Sequence, residues 1–177
     1  MSNTLALNSP LTLNNGFQVK NRFFKSAMSD QLGTQQHAPS EGLAELYGTW
    51  ADGGIALMMT GNVMIDRRAL GEPRNVVLED DSNLIAFRRW AQAGQRNGAK
   101  LWVQLNHPGK QVPIHLSKQP VAPSAIPLGK GLERAFATPR ALTEAEISEI
   151  IKRFAHSAAL VKQAGFSGVQ ILSLIHI

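Results

Sequence analysis

The stretch KLWVQLNHPGK, residues 100–110, decides the fold. Leu101, Trp102, Val103 and Leu105 form a short apolar run with one β-branched and one aromatic member, the composition of a strand buried on both faces. Gln104 puts an amide into that run, which then breaks into Asn106, His107, Pro108 and Gly109. A buried amide has two donors and two acceptor lone pairs to satisfy, at a cost of a few kcal/mol if they stay unpaired. A strand tip that opens into a polar Pro-Gly loop is also where open parallel sheets and barrels keep their ligands.

Working outward, the same grammar recurs on both sides. LTLNNGFQVKN, residues 11–21, alternates Leu11/Leu13 and Phe17/Val19 around Asn15-Gly16, which predicts a hairpin with a type I′ turn. Phe23 to Met28 reads as a first buried strand. Ser40 is placed to cap a helix using Leu43, Leu46, Tyr47 and Trp50, ended by Gly53-Gly54. Ile55 to Thr60 is a second apolar run, followed by Gly61-Asn62. Asp81 or Ser82 opens a second helix through Leu84, Phe87 and Ala91, closed by Asn97-Gly98. Thr143 and Glu146 form a capping box ahead of Ile147, Ile150, Ile151, Phe154, Ala158 and Val161, a helix that runs to Gly165. Gly168 to Ile171 is a fourth strand.

Strand and helix alternating in this way predict an α/β fold with a parallel sheet covered by helices. Either a doubly wound sheet or a (β/α)₈ barrel satisfies the repeat. A hairpin ahead of the first strand favours the barrel, whose bottom needs a plug. Segment 107–142, between the third strand and its helix, holds six of the nine prolines, and irregular chain at a strand's carboxyl end is usually functional.

The totals exclude several classes. With 177 residues, 44% of them hydrophobic, the chain has material for one ordinary domain. No apolar run reaches the length of a membrane span, and MSNTLALNSP lacks the pattern of a signal peptide. The absence of cysteine removes disulfides, thiolate metal sites and thiol catalysis, and fits a reducing, cytoplasmic setting. The net charge of +5 is spread over scattered residues such as Arg88-Arg89, Arg96, Lys100 and Lys110, which reads as a solvated surface and not as a nucleic-acid site. There is no dinucleotide fingerprint, P-loop, H-E-x-x-H or G-x-S-x-G, and GKGLER at 129–134 lacks a third glycine. The histidines at 37, 107, 115, 156 and 176 show no metal-ligand spacing, so no metal is expected.

What remains is a set of polar groups at successive strand ends: Ser29 after the first, Thr60 to Asn62 after the second, Gln104 and His107 at the third. Amides, hydroxyls and backbone N–H groups do no strong acid–base work. They suit a flat heterocycle with mixed donor and acceptor edges that carries the chemistry itself. Taken singly, Ser29 and Asn62 are commonplace loop residues, Met28, Met58 and Met59 are core gap-fillers, and Gln104 reads equally well as an internal amide satisfied by backbone.

VKNRFFKSAMSD, GGIALMMTGNVMID, WVQLNHPGKQ, APSAI and AGFSGVQI resemble, in this order, successive blocks of the Old Yellow Enzyme family. The resemblance covers about residues 5–171, the first half of such a protein. It implies a (β/α)₈ TIM barrel, of which this chain holds about the first four β/α units plus the hairpin. It implies an FMN-dependent NAD(P)H oxidoreductase (an ene reductase) acting on a small activated alkene such as an enone, with no nucleic-acid or membrane partner and a homo-oligomer left open. By the same resemblance Ala27, Met28 and Ser29 line the flavin, Ser29 near O4. Gly61 and Asn62 approach it after the second strand, and Gln104 pairs with its pyrimidine edge. His107 lies in the mouth loop without an assigned role.

The family pattern fails at the end. Relatives continue the fourth strand as an Ile-His-x-x-His-Gly type motif that anchors the substrate, whereas GVQILSLIHI places Leu172 at the first histidine and His176 out of step. Residues 1–171 are therefore expected to be the amino-terminal half of an FMN-binding barrel. Residues 172–177 are expected to be an atypical tail of an incomplete or chimeric frame, with the substrate anchor, proton donor and phosphate loops absent and the 177 residues inactive alone. Two rivals stay open: a half-barrel binding or assembly module, and a phosphate-binding barrel lyase or isomerase. The latter should show a Lys or carboxylate on a strand end.

Overall fold

The computed structural model describes residues 4–172. A short helix α1 (Thr4–Leu7) leads into an antiparallel hairpin of β1 (Leu11–Thr12) and β2 (Gln18–Val19), with Leu11 opposite Val19. The connection is not the expected type I′ turn. Only Gly16 takes a positive φ, of 81°, while the Gly16 N–H donates to Leu13 O and the Leu13 N–H to Phe17 O. This is a three-residue loop in which glycine alone meets the left-handed requirement, so Asn15 keeps ordinary backbone.

The main sheet is parallel and in chain order: β3 (Phe24–Lys25), β4 (Leu57–Met64), β6 (Lys100–Asn106) and β9 (Gly168–Ile171). A short β5 (Val76–Val77) pairs with the end of β4. Helices α2 (Glu41–Asp52), α3 (Leu84–Gly94) and α4 (Glu144–Ala164) follow the first three of these strands. A small parallel pair, β7 (Val121–Ala122) and β8 (Arg140–Ala141), ties the ends of the long proline-rich segment.

Two features decide between the architectures. Strand order never reverses, as it must at the switch point of a doubly wound sheet. The three helices also share one core with one face of the sheet: Leu43 and Tyr47 from α2, Phe87 and Trp90 from α3, Leu160 and Val161 from α4 meet Met58, Val63, Leu101 and Val103. Trp90 sits at its centre, edge-on to Tyr47 at 5.3 Å and to Phe166 at 5.7 Å between ring centroids. The opposite face is closed from below by the hairpin, whose Phe17 meets Trp102 edge-on at 5.7 Å. One-sided helices, sequential strands and a plugged floor make this part of a (β/α)₈ barrel.

The helix ends follow local chemistry. Ser40 accepts from the Leu43 N–H, and Thr143 and Glu146 close a full capping box. Gly165 leaves α4 in the left-handed region at φ 92°. α3 departs from expectation: Asn83 occupies its N-cap without a side-chain bond, and Asn97 takes φ 51° in a 3₁₀ turn after the helix. On α4, Ile151 is exposed while Ser157 is fully buried, its hydroxyl donating to Leu78 O at 2.6 Å. A hydrogen-bonded serine thus replaces one expected apolar contact.

The first strand is shorter and less buried than expected. Phe23, Phe24 and Met28 are about half exposed, because β3 has a neighbour on one side only among the described residues. Met28 is therefore no core gap-filler, whereas Met58 and Met59 are buried. Except for Leu172, the expected tail 172–177 lies outside the described residues.

Candidate functional site

β4 contains an irregularity that builds the site. Its register against β6 shifts between Met59, opposite Trp102, and Asn62, opposite Gln104. Three steps on β4 thus match two on β6, a β-bulge with one extra residue. The Gln104 N–H, left without its ladder partner, donates to Thr60 Oγ1 at 3.0 Å, and Thr60 donates to Gly61 O at 2.8 Å. Gly61 and Asn62 therefore lie inside the strand and not after it, as the sequence had suggested.

The bulge turns Asn62 onto the face of Gln104. Gln104 is in turn in register with Gln170 on β9, and its Nε2 donates to Gln170 Oε1 at 2.6 Å. Three amides, Asn62, Gln104 and Gln170, thus form one row across three strands. One layer towards the hairpin the row is Met59, Trp102 and Gly168. A Cβ on Gly168 would stand 2.8 Å from Trp102 Nε1, so glycine there makes room for the indole. Above the row, Asn106 is buried opposite Met64 and leaves its Oδ1 without a partner among the described residues.

Behind the bulge lies a second polar group that sequence reading missed. The Tyr47 hydroxyl accepts from the Gly61 N–H at 3.2 Å and donates to Asp30 Oδ2 at 2.9 Å. Lys25 Nζ donates to Met59 O at 3.2 Å and lies 4.7 Å from the Trp50 ring centroid. Burial lowers the Lys25 pKa and raises that of Asp30, and burial with the Asp30 charge raises that of Tyr47. These groups clamp the bulge to α2 and to the segment after β3.

The segment holding Ala27, Met28 and Ser29 passes very close to the bulge. A Cβ on Gly61 would fall 2.3 Å from Met28 O, so glycine is required by this approach. The Ser29 hydroxyl is exposed and bonded to the Glu72 carboxylate, so its single proton is already committed. His107, after β6, is largely buried, and its Nδ1 accepts from the Gly109 N–H at 3.2 Å. Burial depresses its pKa, against the pull of Asp66. It lines both an apolar cavity of about 330 Å³, with Val121, Ile150 and Phe154, and a charged one of about 400 Å³, with Asp66, Arg140 and Arg153.

The barrel strands that carry this row of amides agree with what sequence comparison finds. Residues 6–174 match the NADH:flavin oxidoreductase / NADH oxidase family. The chain belongs to this family. An NADH-dependent flavin oxidoreductase of Hypocrea jecorina is 38% identical over 180 residues, covering 92% of this chain and 45% of that protein. An NADH:fumarate oxidoreductase of Klebsiella pneumoniae is 32% identical over 165 residues, 92% of this chain and 17% of that protein. The Old Yellow Enzyme homologue of Zymomonas mobilis superposes with a TM-score of 0.82 at 30% identity, over 94% of this chain and 48% of that one. The chain thus spans less than half the length of these relatives.

The family implies flavin and nicotinamide cofactors, and the donor set fits a flavin. The pyrimidine edge of the ring alternates carbonyl acceptors with one N–H donor. Gln104 keeps its Oε1 as an acceptor and one amide hydrogen as a donor, the other going to Gln170, and beside it Asn62 Oδ1 is buried without a partner among the described residues. No group of three metal-ligating side chains occurs among the described residues, and no described helix is long and apolar enough to cross a membrane. Gln170 carried a signal that went unread: Val-Gln-Leu at 103–105 and Val-Gln-Ile at 169–171 repeat one pattern on adjacent strands. Tyr47 and Asp30 had none, since the helix pattern accounted for Tyr47 as core and Asp30 followed a strand end.

Proposed function

We propose that this chain supplies the first four strands of the FMN-binding barrel of an oxidoreductase that uses NAD(P)H to reduce an activated C=C bond. The observation that carries the reading is the amide row Asn62–Gln104–Gln170, in register on one face of the sheet. Gln104 would accept the ring N–H through Oε1, and Asn62 would stand beside it at the bulge. Ala27 and Met28 would border the ring through backbone, with Ser29 at their end. Bound there, the cofactor's chemistry is hydride relay from a reduced nicotinamide to the β-carbon of the alkene. The residues on these strands hold and orient and move no proton themselves. NADH is the favoured donor, since the Hypocrea relative is named as NADH-dependent. The fumarate oxidoreductase favours an alkene conjugated to an electron-withdrawing group.

The 177 residues alone would hold FMN weakly. β3 and β9 are edges of the described sheet, with Phe24 55% and Ile171 62% exposed. The barrel phosphate site of this architecture comes from loops after its last strands. The reading is tested in a chimera joining residues 1–171 to the carboxyl-terminal part of the Hypocrea jecorina relative. It should purify yellow and oxidise NADH when given 2-cyclohexenone. A folded chimera that neither retains FMN nor turns over the enone would refute the reading.

A further inference from the structure

Tyr47 is fully buried, its ring edge-on to Trp50 at 5.0 Å and to Trp90 at 5.3 Å between centroids. For that packing alone a phenylalanine would serve, and it would spare the cost of taking a hydroxyl out of water. The hydroxyl is therefore explained by its bonds. A tyrosine oxygen has one proton to give and two lone pairs to offer. All are used here: the proton goes to Asp30 Oδ2 at 2.9 Å, and the oxygen accepts from the Gly61 N–H at 3.2 Å and from Lys25 Nζ at 3.4 Å.

Those partners lie on two pieces of chain. The ladder between β3 and β4 ends at Lys25, opposite Met58, and segment 27–29 runs on beyond it to Asp30. Lys25 Nζ also donates to Ser26 O at 3.1 Å and to Met59 O at 3.2 Å. The segment is thus held at both ends, through Ser26 and through Asp30. The bulge is held on both sides of Thr60, at Met59 O and at the Gly61 N–H, where the ladder with β6 is interrupted. Between the two pieces, backbone meets backbone at Met28 and Gly61, where glycine offers no side chain to adjust the gap.

We propose that Tyr47 is a positioning residue of the cofactor site: its hydroxyl, with Lys25 and Asp30, sets the spacing between segment 27–29 and the bulge at Gly61-Asn62. This role rests on the flavin reading, in which both pieces border the ring. The hydroxyl acts on the ring only through Gly61 and Asp30. Helix α2 carries it as part of the buried core, so the packing of Tyr47 against Trp50 and Trp90 fixes where the two pieces meet. Tyr47→Phe keeps that packing and removes only the hydroxyl's bonds.

Amide hydrogen exchange tests the link without a ligand, in the 177-residue chain and in the chimera alike. Tyr47→Phe should let the Gly61 amide exchange about tenfold faster and leave the Leu101 and Val103 amides as they were. In the chimera the same variant should weaken FMN binding roughly two- to tenfold and, at saturating FMN, shift the visible absorption of the bound flavin. Val161→Ala is the control, since it loosens the core on α4 without touching these bonds, and it should do neither. If Tyr47→Phe does not fold, Asp30→Ala cuts the other half of the link and should weaken FMN by a similar factor. A parent chimera that holds no FMN would overturn the flavin reading and this role together. A parent that binds FMN, with Tyr47→Phe or Asp30→Ala matching it in affinity and spectrum, would overturn this role alone, as would an unchanged Gly61 amide in Tyr47→Phe.

Discussion

Gln104 on β6 gives its side-chain N–H to Gln170 on β9 at 2.6 Å, across strands held in register. With Gln104 Nε2 turned to Gln170, its Oε1 and its second amide hydrogen are left for a ligand.

Gln104→Leu should then remove an acceptor from the flavin, and Gln170→Leu only the group that orients it. In the chimera described above, we expect Gln104→Leu to weaken FMN binding by about 1–3 kcal/mol, roughly five- to 150-fold. Gln170→Leu should cost less, about 0.5–1.5 kcal/mol, or two- to tenfold. Titration followed by flavin fluorescence checks both. An effect of Gln170→Leu as large as that of Gln104→Leu would mean that Gln170 itself contacts the ring.

Gly61→Ala should be more damaging than a single methyl group suggests. The added Cβ would sit 2.3 Å from Met28 O and 3.3 Å from Ser29 Cα, both backbone atoms that no rotamer change can move aside. Tyr47 also holds the Gly61 N–H from behind, so the strand cannot retreat. We expect a loss of about 1–3 kcal/mol, read as a lower denaturant midpoint at unchanged slope. An unaltered midpoint would show that the segment after β3 is not fixed against the bulge.

The contrast between these two sites shows how far the sequence could be read. Elements with a local cause were legible: the capping box at Thr143, the N-cap at Ser40 and the glycine stop at Gly165 depend on neighbours within four residues. Barrel order followed from the repeat and the hairpin plug. The bulge was not legible, because Gly61-Asn62 reads as the end of the apolar run Ile55 to Thr60, and the register that carries the strand on through them is set by β6, over 40 residues away. For the same reason nothing near Ser29 in the sequence marked Glu72, 43 residues on, as the acceptor of its hydroxyl hydrogen bond. Gly61 was singled out, but its tight approach is to Met28 backbone from its own chain. Separations of this kind leave no periodic trace.

Thr143→Ala tests the local side of that contrast. The Thr143 hydroxyl accepts from the Glu146 N–H at 3.3 Å, and Glu146 Oε2 accepts from the Thr143 N–H at 2.9 Å. Loss of the cap should cost about 1 kcal/mol and lower the melting temperature by roughly 2–4 °C. Thr143→Ser should restore most of it. Thermal unfolding followed by circular dichroism at 222 nm gives the answer, and equal melting of Ala and Ser variants would show that the cap contributes nothing.

His107 predicts a pH dependence whose sign is set by its environment. Burial holds its pKa below the usual 6.5, with Arg153 and Arg68 adding to the effect and Asp66 opposing it. Nδ1 accepts from the Gly109 N–H, so the neutral ring carries its proton on Nε2, and protonation at Nδ1 would break that bond. The unfolded chain therefore binds a proton at a higher pH than the folded one. The stabilisation is complete above pH 6.5 and is lost as pH falls from there through the lower, folded pKa. His107→Asn keeps a polar side chain that has no charge to gain. Its stability, measured by urea unfolding between pH 7.5 and 5, should fall less steeply than that of the parent. Parallel slopes for the two proteins over that range would place the titration elsewhere and remove His107 from the account of how the mouth loop is held.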